Sequence, residues 1–582
     1  MGNKKIPAIL LFLVFISTTL FALGPYSEII PLSSSLYKEM DDLYAIQDLG
    51  TPSTARPWSK GEAQLILSRV QGENLKGSAK SLYDSVSKMT QTGLRWQFGD
   101  GFGFEFRANI DGEIYTHIND IDFTTDKDWL YGYEERNPFL KGHFAFGVKD
   151  FFYAFVDYQY GYGRTNAKDT TTDLATLTNN LGVGSLVPAG LSLSKTTYAT
   201  SHYLYTTKFL FNLPVSFDAD FEMPKRSILS FGGLNWNFSL SRDRISWGAS
   251  HIGNLIIDDH VDFQNFARLS AYTDKFKFDI VYIFLNTDPT SGENADDWAN
   301  TTEKFERIFM THRVEFRFSK WATLSLSENG MYQAWNGHQF FYMNPIYIFH
   351  SLNDRCMFNS IISAELDVMP FTGLHLYGQF ALDQARAVNE QADQSNAWGA
   401  LGGAEYTHCL RKGIVSSSLE FAYTTPVLYR RDGVDFLMLF KDYAIGKSHV
   451  VSFDYIGFPY GGDAEVLRWD VDYRIPQVFQ LRFAIEGMLH GEMNLFMSHA
   501  TSGDNTDRPN YAGITPSGDN ITQSLKASLY GKYEIPNFVS WIKMSTWGEI
   551  DWIGTRVYTR STKAYSEEAS DVQLSMGVGL EF

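Results

Sequence analysis

The last dozen residues, Asp571 to Phe582, read DVQLSMGVGLEF and constrain the fold more than any other stretch. Val572, Leu574, Met576, Val578, Leu580 and Phe582 take alternate positions. Asp571, Gln573, Ser575, Gly577, Gly579 and Glu581 take the others. Strand side chains alternate between faces with a period of two residues, so one face is wholly apolar and the other polar or small. The same period runs through the body of the chain. In Gly101–Ile110, Phe102, Phe104, Phe106, Ala108 and Ile110 oppose Glu105, Arg107 and Asn109. In Ile308–Phe318, Met310, Val314, Phe316 and Phe318 oppose Thr311, Arg313, Glu315 and Arg317. Phe276–Phe284, Leu467–Arg474 and Phe479–Leu489 repeat the pattern.

Alternation alone leaves a soluble β-sandwich open, because its outer face is polar and solvated. Two features favour a barrel in a membrane. Charges of both signs share one face, as in Arg468, Asp470, Asp472 and Arg474, which suits a lumen where charges need partners. Aromatics reach 15% while hydrophobic residues are only 44%, the balance of aromatic girdles on a wall whose residues alternate between lipid and lumen. Connections divide into tight ones (Lys149-Asp150, Ser319-Lys320, Ile475-Pro476-Gln477, Ile535-Pro536-Asn537) and long polar ones (Thr165–Ser201, Asn286–Lys304, Met497–Gln523). The expectation is an all-β transmembrane barrel, antiparallel, of about 16–18 strands over residues 91–582. Its final strand resembles the closing strand of bacterial outer-membrane barrels, whose terminal Phe serves as an assembly signal. Phe582 would then address the barrel-assembly machinery.

Lys4 and Lys5 precede the apolar run Ile6–Phe15, and small or polar residues follow to Ala22, so residues 1–22 read as a secretory signal. Residues 23–90 hold the helical part, expected as a small N-terminal α-helical segment, a periplasmic cap or plug on the barrel rather than a separate helical hairpin domain. Ser35 can cap a helix carrying Leu36, Met40, Leu43 and Ile46, ended by Gly50 and Pro52. Ser59 and Glu62 have capping-box spacing and open a second helix. A third runs from Ala79 to Met89. The net charge of −18 argues against nucleic acid as a partner, which needs a basic footprint. Cys356 and Cys409 sit in no paired motif and leave a disulfide open.

Two stretches carry a family resemblance. One is Arg56-Pro57-Trp58-Ser59-Lys60-Gly61-Glu62-Ala63, after Leu36-Tyr37-Lys38-Glu39-Met40-Asp41-Asp42-Leu43. The other is Leu240-Ser241-Arg242-Asp243-Arg244-Ile245-Ser246-Trp247-Gly248, followed by Gly253-Asn254-Leu255-Ile256-Ile257-Asp258. Together they resemble the capsule-assembly Wzi family, with Ser241 where its mid-chain signature has Gly. His312-Arg313-Val314-Glu315, Glu328 and Asn344-Pro345 resemble a further run of that family. The resemblance implies an outer-membrane barrel of about 18 strands, largely closed by loops. It also implies a lectin-like role, binding or anchoring capsular or other surface polysaccharide. A porin-like channel for small solutes is the alternative.

No HExxH, P-loop, GxSxG or paired CxxC is present, so neither an enzyme nor a metal or other cofactor is expected. Arg242, Asp243, Arg244 and Trp247 are the first candidates for ligand binding. Guanidinium forks bind hydroxyls and carboxylates, and an indole face stacks on a pyranose. Arg268, Arg313, Glu315 and Glu328 are the second, lumenal or in loops. The competing reading makes all of these a charge ladder that stiffens the barrel, with Trp247 in a girdle.

Overall fold

The computed structural model describes residues 26–98, 101–118, 137, 139–160, 197–199, 226–261, 263–285, 305–335, 340–352, 358–385, 396–431, 434–444, 448–493, 514–539 and 542–582. The signal segment and Cys356 lie outside these residues. So do most of Thr165–Ser201 and all of Asn286–Lys304.

Eighteen antiparallel strands close into one barrel. They are β1 Phe102–His117, β2 Leu140–Val148, β3 Phe152–Tyr160, β4 Arg226–Gly232, β5 Trp236–Asp243, β6 Gln264–Tyr272, β7 Phe276–Leu285, β8 Phe305–Ser319 and β9 Ala322–Trp335. Then follow β10 Phe358–Phe371, β11 Leu374–Gln384, β12 Ala397–Leu410, β13 Gly413–Thr424, β14 Ala464–Ile475, β15 Phe479–His490, β16 Asn520–Val539, β17 Ile542–Thr559 and β18 Ala569–Glu581. Each strand pairs with its sequence neighbour, and β18 closes on β1, with Glu581 opposite Asn109 and Leu580 opposite Ile110. Closure leaves no sheet edge, which a membrane requires because lipid offers no partner for free backbone groups. The alternation fixes which face is out. Phe106, Phe276, Phe316, Leu467, Trp469, Met576 and Val578 are exposed outward, while Asp279, Arg313, Asp470, Asp472 and Asp571 are buried inward.

One rim carries connections of two or three residues, such as Lys320–Trp321 and Arg411–Lys412, and the other carries every long one. Tight reversals need unusual backbone. Gly413 has φ 119°, and a Cβ there would lie 2.5 Å from the Arg474 carbonyl oxygen. Ile535-Pro536-Asn537 is not a turn as expected. It lies within β16, where the register against β17 shifts between Ile535 and Val539, and pairing continues to Val539 opposite Ile542. A proline has no ladder N–H, so a bulge accommodates it.

Among the described residues, three helices precede the barrel: α1 Leu36–Gln47, α2 Lys60–Leu67 and α3 Gly77–Gln91. Leu36, Met40, Leu43, Trp58, Ala63, Ile66, Leu82 and Val86 form their shared core, closed on the barrel side by Ile414. Ser59 caps α2 by accepting from the Glu62 N–H, as its spacing predicts. Ser35 stands at the start of α1 but makes no side-chain cap. The helices sit at the short-turn rim. The Gly373 N–H donates to the Ala45 carbonyl (2.9 Å), Lys320 pairs with Asp48 (3.0 Å), and the Ser78 hydroxyl donates to the Leu410 carbonyl (2.9 Å).

Candidate functional site: a lumen filled from both rims

The motif residues of the helical segment explain one another. Arg56 reaches Asp41 of α1 with both carboxylate oxygens in range (2.7 and 2.8 Å). Its guanidinium also lies 5.0 Å from the Tyr37 ring and 5.2 Å from Trp58. Trp58 is fully buried, and its backbone N–H donates to the Tyr37 hydroxyl. Lys60 pairs with Glu28 at 2.7 Å. Between α1 and α2 the chain runs extended into the lumen, where inward side chains of the wall seize it. Arg268 donates to the Pro57 and Ala55 carbonyls while held by Asp279 (3.0 and 3.1 Å). Lys277 reaches Glu62 and the Ala55 carbonyl. Glu315 accepts from Ser53 (2.9 Å). Arg313 donates to Thr54 and pairs with Glu365 (2.9 Å). Burial pushes the Glu62 carboxyl up to about 7, with Lys277 opposing that rise.

From the opposite rim, residues 244–263 fold inward to meet this segment. Ser246–Trp247 pairs antiparallel with Ala55–Arg56, and the Gly248 N–H donates to the Thr54 carbonyl (3.1 Å). Glu420 of β13 accepts from the N–H groups of His251 and Ile252 (both 2.9 Å) and from the Ser250 hydroxyl. Leu255 donates to Gln379 of β11. A second inward piece, residues 425–431, 434–438 and 454–463, packs on the first. The Tyr429 hydroxyl donates to the Leu255 carbonyl, and the Asp258 backbone N–H donates to the Ile456 carbonyl. Arg430 and Asp435 pair at 2.9 Å with both side chains wholly buried. Arg307 of β8 donates to the Asp435 and Leu437 carbonyls. His260 stands between Asp258 (2.9 Å) and Asp454 (3.6 Å). Burial alone would lower its pKa, but the two carboxylates hold it up at about 10. Ile245, Trp247, Leu255, Ile257, Tyr429 and Phe458 join wall residues Phe309, Met331 and Tyr377 in one apolar core inside the barrel.

The candidates from the sequence therefore scatter. Asp243, inward-facing at the long-loop end of β5, pairs with Arg226, which lies 3.9 Å from Asp157. Arg242 is on the opposite face of β5, its guanidinium 3.5 Å from the centre of the Phe263 ring. Arg244 follows at the strand end, its N–H on Asp243. Trp247 is buried in the plug and stands in no girdle; Arg313 lies 5.6 Å from its ring. Arg268, Arg313 and Glu315 line the lumen and hold the N-terminal segment. Glu328 is neither lumenal nor in a loop. It is on the outward face of β9, 3.4 Å from His312 of β8.

One lumenal patch escaped sequence reasoning. On the inner wall of β15 to β17, Arg482 lies opposite Tyr530, Tyr530 opposite Glu549, and Lys532 opposite Trp547. The Tyr530 and Trp547 rings stack with centroids 6.4 Å apart and planes at 27°. The Arg482 guanidinium is 5.6 Å from the Tyr530 ring. Trp547 lies over Gly577 of β18, where a Cβ would come 2.5 Å from the indole nitrogen. Arg482 is exposed, and Tyr530, Lys532, Trp547 and Glu549 are half-buried, unlike the sealed plug beside them. Aromatic faces flanked by fixed charges and hydroxyls are what a saccharide ring needs. The signal was a Trp and a Tyr on inward positions of neighbouring strands, invisible until register was known.

No protein-family model matches the chain, and no curated protein does. Among solved structures, the chain is similar to Wzi of Escherichia coli, described as an outer-membrane protein involved in group 1 capsule assembly and as a carbohydrate-binding β-barrel. The TM-score is 0.53 and the identity 12%, over 96% of this chain and 99% of that one. Two Pseudomonas aeruginosa barrels match more loosely. OccK3 has a TM-score of 0.37 at 8% identity, over 82% of this chain and 95% of that one. OprD has 0.33 at 6%, over 82% and 95%. The likeness to Wzi extends along nearly the whole of both chains, and the fold is an outer-membrane type of barrel with a Wzi-like architecture.

Proposed function

We propose that this protein is a closed outer-membrane barrel that binds or anchors a surface polysaccharide and does not conduct solutes. The observation that carries the reading is the filled lumen. Residues 51–58 enter from one rim and residues 244–261, 434–438 and 454–460 from the other, and they meet in strand pairing and a common apolar core. A channel needs a continuous polar path; this arrangement spends the lumenal charges of β6 to β13 on holding chain. The Wzi-like architecture supports a carbohydrate ligand, and the Tyr530–Trp547–Arg482 patch supplies suitable chemistry. Residues 1–22 direct export in this reading, and Phe582 guides insertion into the outer-membrane lipid through the barrel-assembly machinery.

The test has two stages. Refolded protein, with its native fold checked by heat-modifiable gel mobility, is reconstituted in a planar bilayer. Silence is expected; large, stable, discrete current steps would favour the porin-like channel instead. The same preparation is then applied to a glycan array. Trp547→Ala and Tyr530→Ala are expected to weaken glycan binding roughly tenfold each, about 1.4 kcal/mol. Equal binding by both variants would remove the patch from the site.

A further inference from the structure

Residues 340–352, FFYMNPIYIFHSL, return from the long-loop rim and lie on the outside of the barrel. Tyr342, Met343, Tyr347, Phe349 and Leu352 pack on outward residues Tyr282, Ile308, Met310 and Tyr332. Beneath them sits the His312–Glu328 pair. The Phe349 ring is centred 4.8 Å from the His312 ring. Glu328 accepts from the His350 backbone N–H at 2.8 Å, and the His350 ring meets the Ser360 hydroxyl at 3.2 Å. The Tyr282 hydroxyl donates to the Met343 carbonyl.

This covered pair is inside the lipid-facing belt, not above it. His312 pairs with Glu328, and Glu328 with Ile362, in one cross-strand row. Ile362 is 49% exposed outward. Phe284, opposite Ile308 and four residues nearer the long-loop rim than the His312 position, is 42% exposed. Lipid-facing apolar wall therefore lies both beside the pair and beyond it. A carboxylate bare against hydrocarbon costs several kcal/mol, so something must cover it.

We infer that residues 340–352 form a flap immersed in the bilayer leaflet on the long-loop side, latched to the barrel wall by His312 and Glu328, with acyl chains as its outer partner. The side chains that face away from the wall fit that partner. Phe340 is 84% exposed, Phe341 64%, Ile346 77% and Ile348 69%. No residue from 340 to 349 carries a charge. Irregular backbone is excluded from lipid unless its polar groups are satisfied. Here the N–H of Met343 donates to the Phe340 carbonyl, Tyr347 to Asn344, Ser351 to Ile348, and Ile346 to the Asn344 side chain. Pro345 has no N–H to satisfy. The run His312, Glu328 and Asn344-Pro345 thus becomes one device: a polar latch and the turn that shapes what it holds.

The test places a nitroxide label at Ile346→Cys or Ile348→Cys in a Cys356→Ser, Cys409→Ser background. Leu326→Cys, on the lipid-facing wall of β9, serves as reference. Power saturation compares collision with oxygen, which enriches in lipid, and with a water-soluble nickel chelate. Oxygen should dominate severalfold at all three sites in the reconstituted full chain. Glu328→Ala should then move positions 346 and 348, but not 326, toward the chelate. Chelate dominance at 346 and 348 without that substitution would overturn immersion. Exclusion of both reagents would also overturn it, by showing that protein and not lipid covers the flap. An unchanged Glu328→Ala profile would overturn the latch. If Glu328→Ala fails the heat-modifiability check, the unsubstituted profiles still decide immersion.

Discussion

Arg313 shows how one side chain can couple three elements. It is inward on β8, pairs with Glu365 of β10, donates to Thr54 of the threaded segment and stands beside Trp247 of the plug. Removing one partner of a buried ion pair leaves the other charged and desolvated. Arg313→Ala is expected to cost about 3–5 kcal/mol, read as a lowered midpoint in denaturant unfolding of the refolded barrel. Arg313 and Glu365 replaced together by apolar residues of similar volume should cost much less. His260 supplies a pH signature. Its folded pKa of about 10 exceeds the usual histidine value. The stability it contributes is therefore complete below about pH 6.5 and lost as pH rises toward 10. Thermal unfolding of the wild type should soften across that window, and His260→Gln should flatten the dependence. An identical slope in both would show that the Asp258–His260–Asp454 contact does not set it.

At the scale of elements, the cap and the threaded segment act as one piece. Trp58 is wholly buried among the helices, next to the Arg56–Asp41 pair. Trp58→Ala is expected to destabilise the cap by about 3–5 kcal/mol. Limited proteolysis should then cut within residues 51–58 while the barrel keeps its heat-modifiable mobility. Most of this was legible beforehand. Periodicity marked each helix, and the Ser59–Glu62 spacing announced the cap of α2. The strands fell where alternation predicted, including the closing strand. Legibility failed where a side chain's role depends on another element. Ser35 had the chemistry of a cap, but its hydroxyl is 3.8 Å from the Met89 sulfur of α3. Pro536 had the chemistry of a turn, but the pairing of β16 and β17 continues past it to Val539 and Ile542.

At the scale of the whole molecule, the decisive feature is that chain from both rims shares the lumen. If the barrel is silent as proposed, deleting residues 428–458, which carry Tyr429, Arg430 and Asp435 of the plug, is expected to give discrete, ion-dependent steps. Continued silence of the folded deletion variant would show that residues 244–263 and the threaded segment suffice to close it. Alternation, aromatic content and the asymmetry of connections determined from sequence alone that this is an antiparallel membrane barrel with a helical cap, because face and period are local properties of a strand. They could not say which charges meet across it. Asp470 and Arg468 looked like neighbours on one ladder, yet Arg468 bridges Asp470 and Glu486 on the next strand. Glu328 looked lumenal or in a loop and proved outward on a strand, because face is set by the register of the strand and not by a residue's charge. Arg242, Trp247, Arg313 and Glu328 were legible as unusual residues. Only the tertiary structure decided that Trp247 and Arg313 meet inside the barrel, that Glu328 faces outward beside His312 and His350, and that Tyr530 and Trp547 stand together, since each contact joins residues far apart in the chain.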